Sequence, residues 1–221
     1  MNSKSEVTNS RTKAHTRYKL ADGTIVPGVT TILGILSKPA LVKWANNLGL
    51  QGIDSSKYVD EKASIGTLAH QMIADYLRGI ETDTSEYSKV QINQAENSVL
   101  SFFKWEESHK IIPILIEEPL ISEQYRFGGA IDCLGEVNGE LCLIDFKTSR
   151  GIFPEMLIQV AAYTKLLAEY NYQIKSARIL RIGRTEDEGF DDRVVTSIDK
   201  RWEVFCHCLG IYNLQKELKG V

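Results

Sequence analysis

The pattern of apolar and polar positions changes once along the chain, near Ile111, from helical spacing to strand-like runs. Ahead of that point, Tyr18–Leu20 and Thr24–Val26 flank Asp22-Gly23, a turn dipeptide, and predict a small hairpin. Val29–Leu36 reads as a helix. A second helix is expected from Pro39 towards Asn47, with Ser37 as its cap, proline near its first turn and Gly49 closing it. A longer helix should run from about Ser56 to Leu77, and another from about Ser88 to Ser108.

Beyond Ile111 the segments Ile111–Leu120, Tyr125–Val137 and Glu140–Lys147 are strand-like, and Asn138-Gly139 is a strong hairpin signal between the last two. Pro154–Tyr170 follows as a helix, Ser176–Ile182 as a strand, Phe190–Thr196 as a further hairpin arm, and Asp199–Leu218 as a closing helix. This order predicts a mixed α/β domain, not a regular alternation of βα units. Residues 1–16 are polar and are expected to be a flexible tail. Residues 17–221 then form a single domain, with a mainly helical part at 17–110 and the sheet core and closing helix at 111–221.

Composition narrows this only a little. The chain has 221 residues, 43% hydrophobic and 25% charged, enough for one proper core. No apolar run approaches the ~18–20 residues of a membrane span, so no membrane partner is expected and a cytoplasmic location is the simple reading. A net charge of −3 argues against a protein that coats nucleic acid non-specifically. It does not exclude an enzyme whose acidic centre lies beside a local basic channel. Of the four cysteines, Cys133 and Cys142 sit in apolar strand runs, where free thiols pack as small hydrophobes. Cys206-His207-Cys208 is too tight, and too alone, for a closed metal site.

The chemistry concentrates in Leu141-Cys142-Leu143-Ile144-Asp145-Phe146-Lys147. Its first four residues are apolar on both faces, as in a strand buried on both sides. Alternation then puts Asp145 and Lys147 on one face, where the strand leaves the core. Taken alone, D-x-K is usually an exposed salt bridge. The preceding strand, however, carries Gly128-Gly129-Ala130-Ile131-Asp132, and the Asn138-Gly139 turn would return Asp132 beside Asp145. Paired glycines within a strand mark a bulge or a close approach of other atoms. Two carboxylates converging beside a lysine suit Mg²⁺ or Mn²⁺ with phosphate oxygens and water completing the shell.

Gly-x-x-Asp, a hairpin, then Ile-Asp-Phe-Lys-Thr-Ser resembles the motifs of the PD-(D/E)XK nuclease superfamily, in its RecB-like exonuclease branch. That branch includes phage-type exonucleases and the mitochondrial genome maintenance exonuclease. Gly66-Thr67-Leu68-Ala69-His70 is similar to the branch's G-x-x-x-H element, and Gln159-Val160-Ala161-Ala162-Tyr163 to its Q-x-x-x-Y element. Each has a plain alternative, a satisfied core histidine for His70 and a surface pair one helical turn apart for Gln159 and Tyr163. Four elements in the right order are harder to explain that way.

The resemblance implies a restriction-endonuclease-like mixed central sheet flanked by helices, with an N-terminal helical elaboration. It further implies that Asp132 and Asp145 ligate the metal, with the Phe146 carbonyl as a further ligand and Lys147 acting on the attacking water. His70 is similar to the branch's additional ligand, and an imidazole favours a softer ion such as Mn²⁺. Gln159 and Tyr163 would contact DNA or brace the site, and Arg126 and Arg150 would help hold the strand. Glu118 is the candidate further acidic member, with Glu117 adjacent and not separated from it by the pattern. Members with an iron–sulfur cluster use one early cysteine; none precedes Cys133 here, so no cluster is expected.

The function implied is metal-dependent cleavage of DNA, from a free end, in recombination, repair or replication and alongside proteins of those processes. The same core supports a structure-specific endonuclease. A non-catalytic DNA-binding subunit is the reading from another class, and the presence of Asp132, Asp145 and Lys147 together argues against it. Oligomeric state, polarity and strand preference are not written in the motifs.

Overall fold

The structure is a computed structural model, and it describes residues 17–36 and 38–220. The expected tail at 1–16 and the Ser37 cap lie outside the described residues. The chain opens with a two-stranded hairpin, β1 (Tyr18–Lys19) and β2 (Ile25–Val26), followed by four helices. These are α1 (Val29–Leu33), α2 (Pro39–Leu50), α3 (Ser55–Arg78) and α4 (Lys89–His109). The sheet follows, as β3 (Ile111–Ser122), β4 (Phe127–Val137), β5 (Glu140–Lys147), β6 (Ser176–Ile182) and β7 (Phe190–Val194). Helix α5 (Pro154–Glu169) connects β5 to β6, and α6 (Ile198–Leu218) closes the chain.

The five strands lie in the order β3-β4-β5-β6-β7, antiparallel except for the β5–β6 pair. A parallel pair cannot be joined by a tight turn, and α5 supplies the crossover it requires. The result is the mixed α/β fold expected, a central mixed sheet flanked by helices and preceded by a helical elaboration. One apolar core combines Leu134, Leu143 and Ile179 of the sheet with residues of α1, α5 and α6. The other combines Cys142, Ile144 and Leu180 with α3 and α4. Strand β5 contributes neighbouring residues to both, so its near-continuous apolar run follows from burial on two faces.

Local chemistry explains several boundaries. Asn138 and Gly139 both take positive φ, 53° and 85°, as a two-residue hairpin of primed type demands. Helix α3 starts where the Asp54 carboxylate accepts from the Ser56 and Lys57 N–H groups, and it ends at left-handed Gly79. Ser88 and Gln91 form a reciprocal cap on α4. Some boundaries differ from expectation: α1 stops at Leu33, short of the expected Leu36. Gly49 does not close α2, which continues to Leu50, and the left-handed glycine is Gly52, at φ +72°. A glycine inside a helix costs only ~1 kcal/mol, so its position alone does not stop one.

The glycine pair of β4 is explained by close approach. A Cβ on Gly128 would lie 2.2 Å from the Tyr18 ring, and one on Gly129 would lie 2.5 Å from the Tyr163 ring. The Gly128 N–H also donates to the Pro27 carbonyl at 3.0 Å, tying the N-terminal hairpin to the sheet. The register shift between β3 and β4 falls elsewhere, between Pro113 and Leu115.

Candidate metal centre

The site begins where β4 parts from β5. Their last paired residues are Cys133 and Ile144, and beyond them the Asp132 side chain takes the place of a strand partner. Its Oδ2 accepts the Phe146 N–H at 2.7 Å. Ile131 packs in the α5-side core and Cys133 in the α3-side core, so strict alternation slips at Asp132. N–H and C=O of one strand residue point to the same edge, which aims the Phe146 carbonyl at the same gap.

Two further side chains reach Asp132 from other elements. His70, on α3, places Nδ1 3.5 Å from Asp132 Oδ1 and 3.9 Å from Glu117 Oε1. One ligand atom from each of His70, Glu117 and Asp132 lies within 4.8 Å of the others. Glu117, not Glu118, therefore joins the cluster. The register pairs Ile116 with Cys133 and Glu118 with Ile131, which leaves Glu117 opposite Asp132. Glu117 also has φ +51°, a left-handed conformation unusual for glutamate and of the kind held in place at functional sites. Glu118 is exposed on the strand edge.

Asp145 and Lys147 share a face, as alternation predicts, and Asp145 Oδ2 lies 2.6 Å from Lys147 Nζ. The contact is an ion pair without hydrogen-bond alignment. Asp145 is 1% exposed, and among the described residues neither of its oxygens has an aligned hydrogen-bond donor. A carboxylate so buried is costly, and a cation is the usual remedy. Asp145 lies outside the three-residue cluster, set behind Lys147.

Charge couples these groups. Burial would raise the Asp132 carboxyl, but His70, Lys147 and the Phe146 N–H outweigh it and bring the value down to about 2. Asp145 moves the other way, to about 6, because burial and the neighbouring Asp132 charge outweigh Lys147. Burial opposes the positive forms of His70 and Lys147, yet both are raised, His70 chiefly by Asp132 and Lys147 chiefly by Asp145. Two carboxylates with values pushed apart beside a lysine form the sort of set found where acid–base or metal chemistry is done.

A cavity of about 670 Å³ opens over the cluster. His70, Glu117, Asp132 and Lys147 form its floor, and Tyr18, Gln159 and Tyr163 stand among its walls. Gln159 Nε2 donates to the Tyr163 hydroxyl at 2.7 Å, which leaves the phenol proton available to a ligand. Burial, first of all, keeps that phenol protonated far above its ordinary value. Tyr18 was not singled out from the sequence; the only signal for it is the glycine that accepts its ring. Of the two expected arginines, Arg126 lies away from the cavity, exposed at the β3–β4 turn with φ +58°. Arg150 stands over a neighbouring hollow, 3.6 Å from Glu188.

The donors suit a divalent ion: one imidazole nitrogen, two carboxylates, and a buried carboxylate short of donors just behind them. No protein-family model and no curated protein matches the chain. Among solved structures it is similar to a protein named "Putative exonuclease" from Eubacterium rectale, at 14% identity and a TM-score of 0.48. That match covers 70% of this chain and 66% of the other, so the chain spans just under two thirds of its length. An alkaline exonuclease from Laribacter hongkongensis matches at 14% identity and a TM-score of 0.35, over 72% of this chain and 88% of the other. A second structure of that enzyme, in complex with dAMP, matches at 16% identity and a TM-score of 0.34, over 72% and 87%. No described helix is long and apolar enough to cross a membrane.

Proposed function

We propose that the protein is a metal-dependent nuclease that hydrolyses phosphodiester bonds of DNA from a free end. The observation that carries this is the convergence of His70, Glu117 and Asp132 beside the Lys147–Asp145 pair, at the point where two central strands part. His70, Glu117 and Asp132 would hold Mg²⁺ or Mn²⁺, with Asp145 and the Phe146 carbonyl as further candidates from β5. The bound ion would lower the pKa of a water and offset charge on the phosphate.

The chain's own residues then divide the remaining work. Lys147, held by Asp145, presents a fixed positive charge at the cavity floor, where it orients the attacking water and steadies the charge growing on phosphorus-bound oxygens. Tyr163 keeps its proton and, braced by Gln159, offers it to a phosphate oxygen. Asp132 stays ionised throughout the neutral range and does not compete with protons there, whereas His70, with its raised pKa, must give up a proton to ligate. Tyr18 and Tyr163 supply aromatic surface to the walls.

The test uses end-labelled linear DNA and covalently closed circles, single- and double-stranded, with Mg²⁺, Mn²⁺ or EDTA. Metal-dependent loss of linear molecules alone supports the end-directed reading. Cutting of circles as well replaces it with an endonuclease.

A further inference from the structure

Beyond the catalytic cavity, α3 carries a row of residues spaced by four: Tyr58, Lys62, Gly66 and His70. Residues so spaced follow one ridge of a helix, and the row spans ~18 Å at 1.5 Å per residue. One end is the metal cluster. The other is a second hollow of about 360 Å³, whose lining includes Trp44, Tyr58, Lys62, Ser149, Arg150 and Arg184. The two meet at the middle of the row, where a Cβ on Gly66 would come 2.7 Å from the Thr148 hydroxyl, and Thr148 directly follows Lys147. The chain that leaves the catalytic strand thus passes into the wall of the second hollow.

The chemistry of this hollow differs from that of the first. Among the described residues no carboxylate lines it, although the chain as a whole is acidic. Arg184 is buried and fixed by two contacts to Glu188, at 2.7 and 2.9 Å. Arg150 reaches the same carboxylate only at 3.6 Å with its side chain 76% exposed, so its charge remains open to a ligand. Lys62 lies 5.7 Å from the centre of the Tyr58 ring. Trp44 meets Tyr58 edge-on, with centroids 5.8 Å apart, and is half-buried on a helix with no buried side chain at all. Trp44 and Tyr58 thus share the lining of one hollow with Lys62, Arg150 and Arg184, which puts aromatic rings beside cations.

We infer that this hollow is a binding site for unpaired DNA, in which a base stacks on Trp44 while Arg150 and Lys62 take the flanking phosphates. The inference rests on the nuclease reading for the identity of the ligand. Aromatic faces beside cations bind single strands whatever their sequence, since every base has a stacking face. A duplex keeps its bases stacked on one another and gains only the phosphate contacts. The site accordingly favours single strands and places unpaired nucleotides within ~18 Å, along α3, of the metal cluster.

The test measures binding without turnover. Fluorescence anisotropy in EDTA gives Kd for labelled oligo-dT, for a duplex of equal length, and for an abasic chain with the same phosphates. The wild-type protein is expected to bind oligo-dT roughly tenfold more tightly than the abasic chain, ~1.4 kcal/mol. Trp44→Ala should remove that difference and Trp44→Phe should keep most of it. Arg150→Ala should weaken oligo-dT and the abasic chain alike, with a flatter salt dependence. Equal binding of oligo-dT and abasic chain by the wild type overturns the stacking role. So does an unchanged preference in Trp44→Ala. A protein that binds as stated yet cleaves nothing keeps this site and loses the proposed activity. A protein that cleaves yet binds oligo-dT with no dependence on Trp44 does the reverse.

Discussion

Asp145→Asn should make the metal-free protein more stable while destroying its function. In the fold the Asp145 carboxyl is raised from 3.8 to about 6, first by burial and then by the charge on Asp132. At ~1.4 kcal/mol per unit, the ionised form costs about 2–3 kcal/mol of stability near pH 8. Asparagine has the same shape, keeps an oxygen towards Lys147 and carries no charge. In a chain of this length each kcal/mol moves Tm by roughly 2–4 °C, so a gain of several degrees is expected in EDTA. The sign of the pH dependence follows from a raised acid. Asp145 imposes no penalty below its ordinary value near 3.8; the penalty develops as pH rises from there to about 6 and is constant above it. The two proteins should therefore melt alike near pH 4, diverge between pH 4 and 6, and keep a constant gap above pH 6. Asp132, lowered to about 2, loses its contribution as pH falls from 3.8 towards 2, but both proteins share it and it cancels in the difference. Added Mn²⁺ should raise the Tm of both, and of the variant by less, since His70, Glu117 and Asp132 remain. Calorimetric scans from pH 4 to 8, with and without Mn²⁺, read all of this. A variant less stable than the wild type at pH 8 in EDTA would mean that Asp145 serves to hold Lys147, and the reasoning from an undercompensated charge would fail.

Three other outcomes are expected. Glu117→Ala should weaken Mn²⁺ binding at least tenfold by isothermal titration, whereas Glu118→Ala should leave it unchanged; equal effects would contradict the register argument. Gly128→Ala drives a Cβ into the Tyr18 ring and should cost about 1–3 kcal/mol in urea unfolding, a loss that Tyr18→Ala in the same chain should largely restore. His70→Gln exchanges an imidazole for a harder oxygen donor, so the ratio of Mn²⁺ to Mg²⁺ affinity should fall; an unchanged ratio would remove His70 from the ligand set.

The parts of this protein legible in its sequence are those set by neighbours along the chain. The limits of β5 and β6 follow from apolar runs bounded by turn residues, and the Asn138-Gly139 hairpin from the φ values those residues tolerate. Asp145 and Lys147 share a face because alternation is a local rule. What depends on register was less readable. The choice between Glu117 and Glu118 turns on which residue faces Asp132 across two strands and on a left-handed backbone at Glu117. Pairing of Lys147 with Asp145, instead of two free carboxylates around an ion, needs the depth of each side chain. The Gly128-Gly129 pair announced a close approach without revealing that Tyr18, from the N-terminal hairpin, and Tyr163, from α5, make it. Arg126 sits in a strand-flanking position by pattern, yet the β3–β4 turn carries it away from the cavity.

The central claim, that this cluster hydrolyses phosphodiester bonds, is tested most directly by following release of nucleotides from linear DNA by the wild type and by Lys147→Ala. Both are measured with Mn²⁺, Mg²⁺ or EDTA, and both are checked for folding by their melting curves. The account predicts cleavage by the wild type only with a divalent ion, and a loss of about 10²–10³ in rate in the variant with DNA binding retained. Cleavage that persists in EDTA, or a Lys147→Ala protein that cuts as fast as the wild type, would contradict it.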